Sequence, residues 1–122
     1  MLIKGINNEF KQINGEKISK KMSEEEIFET LFKQDNIKQI KVERIVSNGN
    51  VTPEEEWYDQ EQAEWVLIIK GEAKLKVKTK ENKEEIIKLE TGDAYYIEQH
   101  EKHQVIETTT PCIWLAIHIF FQ

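Results

Sequence analysis

The chain has 122 residues, 39% of them hydrophobic, and a formal net charge of −6. That length holds one domain with one core, and the apolar content excludes an intrinsically disordered protein. The acidic balance, with lysines interleaved among glutamates, excludes a generic nucleic-acid surface and reads as a solvated mixed-charge exterior.

Cys112 is the only cysteine, so no internal disulfide can form, which fits a reducing compartment. Met1 to Gln12 carries no apolar run or small-residue cleavage signature, and no stretch approaches the length of a membrane span. The expectation is a cytoplasmic protein with neither membrane nor nucleic acid as a partner.

In chain order, residues 1–37 form an N-terminal extension and residues 38–122 the body of a single domain. Ser23 and Glu26 make a capping box, with Met22 and Ile27 placed as its hydrophobic staple. The acidic first turn suits the positive end of a helix dipole. Ile27, Phe28, Leu31 and Phe32 come next at helical spacing. The pattern predicts a short helix from about Glu24 to Lys33, packing over one side or one mouth of the domain body.

From Lys38 the periodicity becomes that of strands. Ile40, Val42, Ile45 and Val46 form a β-rich run that stops at the turn signal Asn48-Gly49-Asn50. Glu64 to Lys70 is a near-continuous apolar strand broken by Gly71. Lys74, Lys76, Lys78 and Lys80 then alternate with Leu75, Val77 and Thr79, one face wet and one buried. A polar turn at residues 80–83 leads to a partner strand over Glu85 to Leu89. After Thr91-Gly92-Asp93 come strands at Ala94 to Ile97, His103 to Glu107 and Cys112 to Phe121. Many short strands without alternating helices predict an antiparallel sandwich or barrel.

Two spacings carry a resemblance. Glu64 lies seven residues before Gly71, after Trp57-Tyr58-Asp59-Gln60. Gly92-Asp93 leads through Ala94-Tyr95-Tyr96-Ile97 to His103. Together they resemble the two signature motifs of the cupin superfamily, over about seventy residues from Thr52 to Phe121. Residues Glu64 to Ala73 and the ending Ile113 to His118 look like small stand-alone bacterial cupins. The resemblance implies an all-β, antiparallel, jelly-roll barrel preceded here by the short helix, with a small molecule bound inside and a homodimer as its assembly. The first motif's histidines would fall near Trp57 to Gln60, where none is present, and Glu98 replaces the second motif's proline.

The same resemblance implies a divalent metal such as Zn, Fe, Mn or Ni. Glu64 and His103 keep metal-ligand chemistry, and Asp59 or Gln60 would supply a third donor. A metal site needs several converging N, O or S donors, and oxygens in place of nitrogens imply weak holding. If there is catalysis, Glu64 or His103 would be the general base. An inward Glu64 requires a metal, a lysine or His103 beside it. His118 shares a strand face with Trp114, Ala116 and Phe120, and is either a satisfied core side chain or a cavity-lining group. His100, in a polar turn with Glu98 and Glu101, fits the cavity rim or solvent. Tyr58 and Trp114 are the aromatics expected at a cavity wall. Two other readings stay open: a metabolite sensor that needs no metal, and a structural homodimer module. No Gly-rich phosphate loop or nucleophile elbow is present, and Cys112 reads as a packed thiol.

Overall fold

A computed structural model describes residues 1–8, 26 and 28–122 of the chain. Among the described residues eight strands run in order: β1 Leu2–Ile3, β2 Ile37–Ser47, β3 Ala63–Lys70, β4 Ala73–Lys78, β5 Glu84–Leu89, β6 Ala94–Ile97, β7 His103–Thr108 and β8 Cys112–Phe121. They form a five-stranded sheet, β1-β6-β3-β8-β2, and a three-stranded sheet, β5-β4-β7. Every pairing is antiparallel. The all-β antiparallel architecture expected of the sequence is the one observed. No helix among the described residues is long and apolar enough to cross a membrane.

The two sheets face each other because their strands alternate. On β4, Ala73, Leu75 and Val77 are buried and the intervening lysines are not. The inner face of the larger sheet contributes Val66 and Ile68 from β3, Tyr95 and Ile97 from β6, and Cys112, Trp114 and Ala116 from β8. These close on Leu75, Val77 and Leu89 of the smaller sheet to make the main core. A second cluster lies on the outer face of the larger sheet, where Ile3, Trp65 and Ala94 pack with Phe32, Leu67, Tyr96 and Ile117.

Two strand ends are fixed by turns. Gly71 joins β3 to β4 at a φ of +87°, a conformation that side chains with a Cβ resist. Gly92 does the same before β6, and there a Cβ would collide with the Asn7 side chain.

The N-terminal helix is a correction. Ser23, Glu24, Glu25 and Ile27 lie outside the described residues, but residues 28–35 carry no helix. The expected apolar stripe does not share one face. Phe28 is 88% exposed, whereas the Phe32 ring lies 4.7 Å from that of Tyr96. A helix this short is marginal unless its whole stripe docks on a surface. Here Phe32 docks from irregular chain and covers part of the larger sheet's outer face.

Candidate functional site

A cavity of about 330 Å³ opens between the sheets. Its wall is largely apolar, with Val66, Leu75, Ile97, Val105 and Trp114 among the lining side chains. Its polar residues include Glu43, Gln60, Glu64, His103 and His118. Each polar group arrives from a different element. Glu64 and His118 stand opposite each other in the β3–β8 register. Glu43 comes from β2, on the same inward alternation as Ile45 and Ser47. His103 opens β7, and Tyr58 and Gln60 come from the loop between β2 and β3.

That loop is fastened to β7. Gln104 Nε2 donates to the carbonyls of Glu54 and Glu56, at 2.9 and 2.7 Å. Thr52 exchanges two hydrogen bonds with Val105. Tyr58 and His103 form an antiparallel bridge, and their rings stack with centroids 5.3 Å apart. Lys78 lies over the Trp57 ring at 4.5 Å, a cation–π contact.

Glu64 and His118 are both buried. Gln60 Nε2 donates to Glu64 Oε1 at 3.2 Å. On the other side of Glu64, His118 Nδ1 lies 3.6 Å from the same oxygen, beyond hydrogen-bond range. His118 Nε2 is 2.7 Å from Glu43 Oε1. An ionised carboxylate only accepts, so this bond places the proton on Nε2. Among the described residues, His118 Nδ1 is buried without a hydrogen-bond partner. Behind His103, its Nδ1 is 2.9 Å from the Glu101 carbonyl, which also only accepts. Tyr95 in turn donates its hydroxyl to Glu101 Oε2 at 2.7 Å. Burial and then this bond to the Glu101 carboxylate push the Tyr95 phenol well above its usual range, so it stays a donor.

The structure therefore brings Glu64, Gln60, His103, His118, Tyr58 and Trp114 to one cavity wall. Of the companions expected for Glu64, no lysine lines this wall among the described residues; Gln60 is its hydrogen-bond donor, and His103 lines the same cavity. Asp59 lies elsewhere, and His100 takes the solvent side of the two places read for it. Asp59 Oδ1 pairs with His100 Nδ1 at 2.7 Å, with the two side chains 44% and 63% exposed. Asp59 is thus turned away from the wall as a donor, and His100 belongs to the solvent side of its turn, at a φ of +60°. Glu43 was not singled out by the sequence. Its signal is the one carboxylate of a mixed strand, two residues before Ile45 and on the parity that faces the cavity.

The remaining donors do not fit a metal centre. Among the described residues no three His, Cys, Asp or Glu side chains group closely enough to hold an ion. Glu43 and Glu64 sit on different nitrogens of one imidazole, so the ring separates them rather than letting them converge.

Two facing antiparallel sheets around an apolar cavity with a carboxylate–imidazole end define a small ligand-sized β-barrel. Residues 44–118 match the Cupin domain family, and the chain belongs to it. Among solved structures it is similar to a protein from Ralstonia eutropha provisionally described as a mannose-6-phosphate isomerase. That match has 32% identity and a TM-score of 0.61, covering 80% of this chain and 87% of the other. It is also similar in fold to oxalate decarboxylase from Bacillus subtilis, a protein with Mn(II) centers. There the identity is 16% and the TM-score 0.57, over 68% of this chain and 22% of that one. The chain thus spans about a fifth of the decarboxylase's length. No curated protein matches the sequence significantly.

Proposed function

We propose that this cupin barrel binds a small molecule in the cavity between its sheets, without a metal ion. The observation that carries the reading is the 330 Å³ cavity itself, apolar along its wall and holding Gln60, Glu64, His103 and His118 as convergent polar groups. Pockets of this size and make-up are the usual small-molecule sites of folded proteins. The Mn(II) centers of oxalate decarboxylase belong to that protein. The weakly held ion expected at Glu64 and His103 lacks a third close His, Cys, Asp or Glu side chain among the described residues, and Gln60 turns an N–H, not its oxygen, to Glu64.

Thermal denaturation across a panel of organic acids, amines, sugars and divalent metals is the test. A binder at a hundred times its Kd stabilises by about 2.7 kcal/mol. An organic compound should raise Tm in EDTA-treated protein, and Val105→Trp, which fills the cavity, should remove the effect. Stabilisation by metals alone, lost in Glu64→Ala and His103→Ala variants, would overturn the metal-free reading.

The homodimer implied by the family resemblance is also proposed, on the outer face of the five-stranded sheet. Ile40, Val42 and Val46 of its edge strand β2 are 53%, 59% and 48% exposed there.

A further inference from the structure

We infer that the cavity selects a primary amine, its ammonium head seated between Glu64 and His118 and its hydrocarbon body lying along the apolar wall. This rests on the reading of the cavity as a small-molecule site and names the class of ligand.

Glu43 holds a His118 proton on Nε2, so in the neutral ring Nδ1 carries the lone pair. The Glu101 carbonyl holds a proton on Nδ1 of His103, so in the neutral ring Nε2 is the acceptor. Glu64 is an acceptor when ionised. The His118 side chain is nine-tenths buried, and its Nδ1 faces Glu64 Oε1 across 3.6 Å with no donor between them. Two buried acceptors side by side are unfavourable unless a donor joins them. Gln60 commits one of its two amide N–H donors to Glu64, and its carbonyl oxygen is a further acceptor.

The charge on the wall points the same way. Glu43 and Glu64 line the cavity, and no lysine or arginine does so among the described residues. A ligand carboxylate or phosphate would meet two carboxylates and no fixed cation. A primary ammonium brings a positive charge and three N–H donors with no acceptor, which is the complement of this end. A polyol would need hydrogen-bonding partners along its whole length. Beyond the polar end the wall is mostly apolar, with Val66, Leu75, Ile97, Val105 and Trp114, and Ser47, Thr52 and Tyr58 add only scattered hydroxyls. The Trp114 indole N–H is already donated to Ser47 Oγ at 3.3 Å. An amine with an apolar body satisfies both halves.

Calorimetric titration of the full chain at pH 8 with hexylamine, hexan-1-ol and hexanoate tests this. Hexylamine should bind at least tenfold more tightly than hexan-1-ol, and hexanoate should give no binding heat. Glu64→Gln should reduce that preference to less than threefold, with circular dichroism reporting whether the variant is folded. Should it not fold, the amine-to-alcohol ratio in the unmodified protein decides alone. Alcohol binding equal to amine binding would overturn the amine inference and leave the cavity reading intact. Absence of amine binding while another panel compound binds would do the same. Amine binding that disappears after EDTA treatment would also overturn it, because a metal would then be the receptor.

Discussion

Asp93 is 2% exposed and accepts hydrogen bonds from Lys4 Nζ, from the Gly5 amide at 2.9 Å and from the Glu90 amide at 2.7 Å. Burial alone would raise its carboxyl pKa. The Lys4 bond and the two amides outweigh burial and hold it below the ordinary carboxylate range. A carboxyl depressed in the folded state stabilises above its unfolded pKa, near 3.9, and that contribution is lost as pH falls through the folded value. Denaturant titrations from pH 6 to pH 2 should therefore show acid destabilisation that Asp93→Asn flattens. At pH 7 the variant should be less stable by about 1–3 kcal/mol. Parallel acid profiles for the two proteins would contradict this account. Cys112 makes a second prediction. It is fully buried, and burial pushes its thiol pKa up, so a disulfide reagent at pH 7 should label it only as the chain unfolds. The candidate site was partly legible at this same scale. Glu64 and His103 were readable from their motif spacing. His118 was not assignable, because both faces of β8 are apolar and parity alone does not distinguish core from cavity. Asp59 was unreadable for another reason: loop side chains obey no period, and Asp59 pairs in solvent with His100, whose polar turn was legible.

Element boundaries followed the strength of each periodic signal. The alternation of β4 is strict and its partner in register is β5, from Ala73 opposite Leu89 to Lys78 opposite Glu84. Such a strand is readable residue by residue, because a one-residue slip would expose its whole core face. β1 is only Leu2–Ile3 and exists by pairing with Tyr95 and Ala94 of β6, far away in the chain, so local pattern gave no hint of it. The expected N-terminal helix fails for the opposite reason. Its local signals are present, but among the described residues tertiary contact claims Phe32 and leaves Phe28 in water. The turn at Gly71 was signalled by the glycine, and the structure gives the mechanism. A Cβ there would lie 2.5 Å from the Pro111 carbonyl oxygen, and the φ of +87° disfavours any side chain. Gly71→Ala should cost at least about 1 kcal/mol. For a domain of this size that lowers Tm by several degrees, roughly 4 °C or more. An unchanged melting temperature would mean that the β3–β4 turn relaxes freely.

Across the whole molecule the two sheets differ on their outer faces. The smaller sheet presents Lys74, Lys76 and Lys78 of β4 to solvent, balanced by Glu107 and Glu84. The larger sheet presents hydrocarbon. Val42 pairs with Ile117 and Val46 with Ile113, so these four side chains share its outer face beside Leu67 and Leu115. Phe32 covers only the part around Tyr96 and Trp65. Arg44, opposite Leu115, is the one charge between Val42 and Val46 on this face, and an exposed, mainly apolar face of this kind marks an interaction surface. A second copy is the partner proposed, since a twofold contact lets one patch cover itself. β2 is also the outermost strand of its sheet, with β8 as its paired neighbour. Sedimentation at micromolar concentration should give a dimer for the unmodified chain. Val42→Glu places a carboxylate in the centre of the patch, twice over in a twofold contact, and should yield a monomer. Lys76→Glu changes charge on the other sheet by more and should leave the dimer intact. A monomeric unmodified chain, or a dimer that loses its association through Lys76→Glu but not Val42→Glu, would move the interface off the larger sheet. The cavity lies on the inner side of that sheet, so amine binding measured in the Val42→Glu monomer also tells whether the ligand site is complete within one chain.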